Sequence, residues 1–307
     1  NIKLDIVYKG ENWNVFGKFI AGLGLVFRTI KALFKKYDVS ICYSHHHEVL
    51  ATLTRLESKN NIVFIHTDLK NSRTKKELTK LCQKMKFNKF KKVVCVSNRA
   101  KEAFLDIYPD YKGKIVVANN YIDGPYIISS SKAKIADKKG KVITFLNVAR
   151  HDDSPKKISR IIKAAKKLNE AGYKFKVLLI GDGKDTNLYK AKIKKLNLNN
   201  VEILGSKSNP FPYYKIADAF VFSSAFEGYG IVLNEARVLG LPIISTDVAD
   251  AKIITKAGYG ILCKNSDLGV YLGMKKFLDS GYKIKKKFDY KKFNYDINEA
   301  INKIVED

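Results

Sequence analysis

Two carboxylates, Glu227 and Glu235, carry the most pointed chemistry in this 307-residue chain. They lie in Ser223-Ser-Ala-Phe-Glu-Gly-Tyr-Gly-Ile-Val-Leu-Asn-Glu-Ala-Arg-Val-Leu-Gly-Leu-Pro-Ile-Ile-Ser-Thr-Asp247. The apolar run Ala219-Phe-Val-Phe222 just ahead reads as a buried parallel strand, and an amphipathic helix is expected to start near Gly230. That order aims the intervening loop and the free N–H groups of the helix start past the strand's carboxyl end, where open α/β sheets hold phosphorylated ligands. One carboxylate sits on the loop and the other about a turn into the helix. Both are placed to accept hydrogen bonds from hydroxyls beside a bound phosphate. Two carboxylates and a phosphate site with no metal motif suit a nucleotide sugar. Taken singly, each feature has a plainer origin: a Glu in the first helical turns is favoured by the helix dipole, and Gly before a helix is ordinary turn chemistry.

The elements that must position this loop recur along the whole chain. Strands are expected at 3–8, 39–43, 62–66, 93–97 and 115–118, then at 141–148, 175–180, 201–204, 219–222, 242–246 and 260–263. Helical patterns alternate with them, which predicts parallel sheets with helices on both faces. Residues 1–124 are expected to form one domain, 125–140 a connector without periodicity, and 141–280 a second domain. Residues 281–307 are expected to carry a docking helix, with Ile297, Ala300, Ile301 and Ile304 on one face. Near the start, Phe16, Ile20, Leu23, Phe27, Ile30 and Phe34 share one face of a helical pattern whose Lys18, Arg28, Lys35 and Lys36 lie away from it. Packing on a core and resting on an anionic membrane both explain that pattern.

The formal charge is +27, with 50 Lys and 7 Arg among the 57 basic residues. Nucleic-acid readers lean on Arg for bidentate contacts, and no RNA- or DNA-binding module is recognisable. The excess charge creates a field that attracts anionic lipid headgroups and anionic donors. The longest uncharged apolar stretch near the start, 19–27, is far below the ~18–20 residues that span a bilayer. The four scattered cysteines (Cys42, Cys82, Cys95, Cys263) read as buried free thiols of a reducing cytoplasm. His45-His-His47 invites a metal reading, but adjacent loop residues rarely point at one ion and no carboxylate stands at ligand spacing.

The Glu-x7-Glu string and its tail Glu235-Ala…Leu-Gly-Leu-Pro-Ile-Ile-Ser-Thr-Asp resemble the signature of the retaining GT-B glycosyltransferases of family 4. Other segments match that family as well. Asn147-Val-Ala-Arg150 and the helix-forming run from Lys156 resemble its strand and basic loop, so the resemblance puts Arg150 and Lys156 on the donor diphosphate. Leu179-Ile-Gly-Asp-Gly183 is similar to its glycine turn, and Asn209-Pro-Phe-Pro-Tyr-Tyr to its segment near the nucleobase. His66, ending Ile65-His-Thr-Asp68, falls where the family carries a His facing the reaction centre. By the same resemblance Glu227 meets the sugar, Glu235 the ribose, and Gly183, Gly228, Tyr229, Gly230 and Ile231 surround the donor.

The resemblance implies two Rossmann-like domains facing a cleft. It implies a metal-independent, retaining transfer from a nucleoside-diphosphate sugar to a glycan or lipid-linked acceptor, without a cofactor, in surface polysaccharide or glycolipid synthesis. A cytoplasmic site with peripheral contact to an anionic inner membrane face, and no nucleic-acid partner, goes with it. A non-catalytic nucleotide-sugar-binding subunit and a GT-B epimerase are the alternatives. One departure stands out: the family opens with a strand, a glycine-rich loop, a helix and another strand, and the alignment here starts at a segment like the third strand. The first domain is therefore expected to be incomplete and transfer to be slow.

Overall fold

The computed structural model describes residues 27, 29–34, 36–137, 139–284 and 286–306. The expected strand 3–8 and most of the amphipathic segment 16–36 lie outside the described residues; 29–34 are helical.

Short apolar runs become the strands, and the central ones are buried on both faces as parallel sheets require. In the first sheet β1 (Ser40–Cys42), β2 (Asn61–Ile65), β3 (Lys92–Cys95) and β4 (Ile115–Val117) follow one another in order, every pair parallel. All five residues of β2 are buried. Helices α1 (Glu48–Glu57), α2 (Lys75–Met85) and α3 (Asn98–Leu105) connect these strands. Thr74 starts α2 with a capping box, its hydroxyl accepting from the Glu77 N–H while the Glu77 carboxylate accepts from the Thr74 N–H.

Residues 125–140 were expected as a bare connector, yet they open inside a helix, α4 (Gly124–Ser130). Asp123 caps it by accepting from the Tyr126 N–H, Pro125 fits its first turn, and Ile127 packs into the core of the second sheet. A seven-residue helix with one buried isoleucine has too few apolar positions to show a period.

The second sheet contains β5 (Ile143–Val148), β6 (Phe175–Ile180), β7 (Val201–Gly205), β8 (Ala219–Phe222), β9 (Ile243–Thr246) and β10 (Gly260–Cys263). Its spatial order is β10-β9-β8-β5-β6-β7, all parallel, so the chain reverses direction across the sheet between β5 and β8. That is the doubly wound order, with its crevice at the reversal. Helices α5 (Ile158–Glu170), α6 (Thr186–Lys195), α7 (Phe211–Ile216), α8 (Ile231–Val238), α9 (Ala251–Ile254) and α10 (Asp267–Ser280) complete the layers. Ile158, Ile161, Ile162, Ala165 and Leu168 make the buried stripe of α5 against Phe145, Val177 and Val221 of the sheet. Truncating Ile161, which is wholly buried there, to Ala would cost ~2–5 kcal/mol.

The last helix, α11 (Tyr290–Glu306), begins on the second domain and ends on the first. Asn294 holds its early turn, donating to the Ile122 carbonyl at 2.9 Å and accepting from the Ile122 N–H at 3.1 Å. Ile304 then covers Ile62, Phe64, Val94 and Ala118, with Ala300 and Ile301 beside it. The apolar face expected for this segment is the docking face. All four cysteines are free thiols, and Cys42, Cys95 and Cys263 are buried.

Candidate functional site

A cleft of about 650 Å³ opens where β5, β6 and β8 of the second sheet end, and His66 of the first domain closes its far side. It therefore occupies the reversal point of the doubly wound sheet. Eight of the residues expected to act together line it: His66, Arg150, Lys156, Glu227, Gly228, Tyr229, Gly230 and Ile231. Gly183 and Glu235 are not among the lining residues.

Backbone proximity explains the glycines. At Gly181, which turns the chain out of β6 at φ +139°, a Cβ would lie 1.9 Å from the Ala149 carbonyl oxygen. Gly183 also comes close to the basic loop, with a Cβ position 2.6 Å from the His151 carbonyl oxygen. Its part is thus to let two loops touch. At Gly228 the close approach is between domains: a Cβ would meet the His66 carbonyl oxygen at 1.8 Å and the Thr67 Cα at 2.9 Å. Gly230 adopts φ +76° at the start of α8, a left-handed turn that glycine reaches without strain. The contact between domains is reinforced by the Ser97 hydroxyl donating to the Gly228 carbonyl at 2.5 Å. Asp250 accepts from the Asn98 N–H at 3.0 Å and from the Asn119 amide at 3.3 Å. Burial raises the Asp250 carboxyl above its ordinary pKa, against the lowering by these donors.

The two cations that the resemblance puts on the diphosphate stand differently. Arg150 is exposed and stands 3.8 Å from the Asp152 carboxylate. Lys156 is partly buried and pairs with Glu227 at 2.5 Å, and the Ser224 hydroxyl donates to the same Glu227 oxygen at 2.8 Å. The basic loop is pinned beside the Glu227 loop by the Ala225 N–H on the Pro155 carbonyl (2.7 Å) and the Ser223 hydroxyl on the Lys156 carbonyl (2.8 Å). The resemblance assigns Lys156 and Glu227 to different parts of one ligand; here they hold each other.

His66 lies with Nε2 2.8 Å from the Tyr43 carbonyl oxygen. A carbonyl only accepts, so Nε2 carries the hydrogen, and in the neutral ring Nδ1 keeps its lone pair. Burial lowers the His66 pKa below the ordinary histidine value, so the ring is neutral at pH 7. Its backbone N–H donates to Nδ1 of His45 at 3.3 Å. His45 is buried, and burial, with His46 and the Arg73 guanidinium nearby behind it, lowers its pKa to about 3.

Glu235 accepts the Tyr214 hydroxyl at 2.9 Å, and burial pushes its carboxyl up. Helix α8 thus sets it behind the lining residues Ile231 and Val232. The cleft also includes Asn120, Ser206 and Lys207, which motif spacing had missed. Each follows the end of a strand, β4 or β7, so the rule that ligands gather at strand carboxyl ends was the signal available for them.

A family model described as glycosyl transferases group 1 matches residues 129–294, more than half of the chain. The fold is similar to that of HepE from Anabaena, crystallised with UDP and glucose, at a TM-score of 0.74 and 16% identity over 92% of this chain and 82% of that one. TarM of S. aureus, crystallised with UDP among its ligands, gives a TM-score of 0.69 at 16% identity over 92% and 59%. The two parallel-sheet domains are those of the GT-B glycosyltransferases. In sequence, an uncharacterized glycosyltransferase of Methanocaldococcus jannaschii is 43% identical over 88 residues, 28% of this chain and 22% of that protein. The capsular polysaccharide biosynthesis glycosyltransferase CapM of Staphylococcus aureus is 34% identical over 98 residues, 31% and 26% of the two chains. These matches span about a quarter of the curated relatives' own length.

Proposed function

Because the chain belongs to the group 1 glycosyl transferases, we propose that it moves a sugar from a nucleoside-diphosphate sugar to a hydroxyl of a glycan or lipid-linked acceptor, with retention and without a metal. One observation carries the reading: Arg150, Lys156 and Glu227 meet at the reversal of a doubly wound sheet, with His66 of the other domain lining the same cleft. HepE and TarM were crystallised with UDP, so a uridine nucleotide is the first donor to test. CapM is named for capsular polysaccharide biosynthesis, which makes a surface glycan the acceptor class of choice.

The chemistry follows from charge. As the bond from the sugar C1 to the diphosphate breaks, negative charge grows on the leaving phosphate, and the guanidinium of Arg150 and the ammonium of Lys156 stabilise it. Lys156 exchanges Glu227 for phosphate oxygen, which frees Glu227 to accept hydroxyl hydrogens of the sugar. The acceptor oxygen forms the new bond to C1 on the same face, and its proton passes to the leaving phosphate. Neutral His66 offers Nδ1 to a sugar hydroxyl. Glu235 serves the ribose from the second row, with the small motions of α8 that this needs. No helix among the described residues is long and apolar enough to cross a membrane. The net charge of +27 supports peripheral attraction to an anionic cytoplasmic membrane face.

Titration of UDP and of uridine against the wild-type chain, Arg150→Met and Lys156→Met tests the donor site. Each substitution should weaken UDP by ~10- to 100-fold and leave uridine nearly unchanged. Equal losses for both ligands would remove the cations from the diphosphate. Release of UDP from a UDP-sugar on adding acceptor separates a transferase from a subunit that only binds.

A further inference from the structure

A second groove, of about 470 Å³, runs along the first domain and shares a rim with the cleft. His66 lines the cleft and Thr67 lines the groove, while the Gly228 backbone packs against both. Its charge is one-sided. Lys80 and Lys84 stand one turn apart on α2, so they project from the same face, and neither has an ion-pair partner among the described residues. Arg73 joins them, its two terminal nitrogens donating to the Ser72 hydroxyl (2.8 Å) and to His46 Nδ1 (3.1 Å). A guanidinium only donates, so neutral His46 carries its hydrogen on Nε2, a further donor. The groove's one carboxylate, Glu77, is occupied by the N–H and hydroxyl of Thr74 in the cap of α2.

The basic composition of the chain does not by itself produce such a groove. A smaller one on the second domain, about 310 Å³, also collects three lysines, but there Lys163 pairs with Asp267 at 2.7 Å and Lys166 with Glu170 at 3.3 Å. Two of its three lysines are neutralised in this way, whereas, among the described residues, Lys80 and Lys84 beside the cleft are not.

We propose that the His46–Arg73–Lys80–Lys84 groove is a subsite for the diphosphate diester of an acceptor, and that it sets the acceptor's hydroxyl over Thr67 toward His66. Arg73, Lys80 and Lys84 set against Glu77 leave two positive charges, the complement of a diphosphate diester, which carries two negative ones. The inference rests on the transfer reaction proposed above and adds the chemical class of the acceptor. It also separates two anion sites that a diphosphate probe alone would confuse: the donor's phosphates at Arg150 and Lys156, the acceptor's at Lys80 and Lys84.

The test uses the whole chain, with UDP saturating the cleft, titrated with a short-chain alkyl diphosphate-linked sugar. Lys80 and Lys84 are exposed, so Lys80→Ser/Lys84→Ser removes charge without opening a core. The double variant should bind the diphosphate probe about 10-fold more weakly than wild type. Its affinity for UDP should stay within about two-fold, and the matching neutral alkyl glycoside should not distinguish the two proteins. Absence of probe binding to the UDP-loaded wild type would overturn the proposal. So would equal probe affinity in the double variant, or an equal loss for the neutral glycoside. Should inorganic phosphate compete as well as the diphosphate probe does, the site reads a single phosphate group and the diester assignment falls. UDP is titrated alone beforehand, with Arg150→Met as the comparison. A missing UDP signal there sinks the donor reading, and the probe's dependence on Lys80 and Lys84 is still read independently of it.

Discussion

The guanidinium of Arg237 lies 3.6 Å from the ring centroid of Phe288, with the rings of Tyr259 and Phe293 at 4.6 and 5.8 Å. The cage comes from the segment leading into α11, from the first turn of α11 and from the turn after α9, and burial lowers the pKa of the enclosed arginine. From inside it Arg237 donates to the Asn234 side-chain oxygen at 2.6 Å, and the Asn234 amide donates to the Tyr229 hydroxyl. Tyr229 lines the cleft. A relay of three side chains therefore runs from the C-terminal segment to the loop between the two glutamates.

Arg237→Met keeps most of the volume and removes the cation and its donors. Stability should fall by ~1–3 kcal/mol, and UDP should bind several-fold more weakly because Tyr229 loses its fixed orientation. Arg237→Lys should not restore binding, since an ammonium cannot stack flat between rings while holding Asn234. Thermal melting and UDP titration read the two effects separately. A lower melting temperature with unchanged UDP affinity would limit Arg237 to packing.

The Lys156–Glu227 pair makes the carboxylate a competitor of the donor phosphate. Glu227→Gln should raise UDP affinity several-fold by releasing Lys156, yet lower sugar transfer by ~100-fold through loss of the sugar contact. Weaker UDP binding in this variant would show that Glu227 steadies Lys156 for the phosphate instead of withholding it.

Gly228→Ala tests how closely the domains must meet. The added carbon would fall on the backbone of His66 and Thr67, which cannot swing aside as a side chain can. A loss of ~1–3 kcal/mol is expected, with transfer reduced more than 10-fold as His66 moves off. Gly172→Ala is the comparison: at φ +81° with nothing within 4 Å of its Cβ position, it should cost only ~1 kcal/mol of backbone strain and no activity.

Acid should find His45 first. Its folded pKa of about 3 is depressed below the ordinary 6.5, so the unfolded chain binds the proton that the folded one refuses. Stability from this group is complete above pH 6.5 and is lost as pH falls from there toward 3, on the order of 3 kcal/mol by pH 4. His45→Asn keeps an acceptor for the His66 N–H and removes the titration. The difference in unfolding free energy between wild type and variant, followed by urea melts from pH 7 to 4, should shrink steadily toward acid. A difference constant with pH would mean that His45 takes up its proton as readily in the fold as in the unfolded chain.

Strands were the most legible part of the sequence. The expected runs 175–180, 219–222 and 260–263 coincide with β6, β8 and β10, because each strand is written as a short, nearly uninterrupted apolar run, broken only by Lys176 in β6. The turns of α11 ahead of Ile297 and the helix α4 were not legible, since their few apolar positions mix with Lys, Ser and Tyr. At the site, the loop glutamate was readable from type and spacing, and the two cations only through the family resemblance. Glu235 was placed correctly on its helix, but its partner Tyr214 lies 21 residues away in sequence, and only the packing of α7 against the sheet brings them together. The pairing of Lys156 with Glu227 spans 71 positions and is likewise invisible along the chain.

The crossing of α11 also bears on how the protein is made. Ile62, Phe64, Val94 and Ala118 have all been synthesised by the time residue 118 is added, yet the isoleucine that covers them is residue 304. At the usual ribosomal pace the wait is roughly ten to forty seconds. For that interval the nascent amino-terminal sheet offers an oily face to chaperones and to neighbouring chains. The last helix ends the exposure, so truncations there should be felt first as aggregation through the uncovered face of the first sheet.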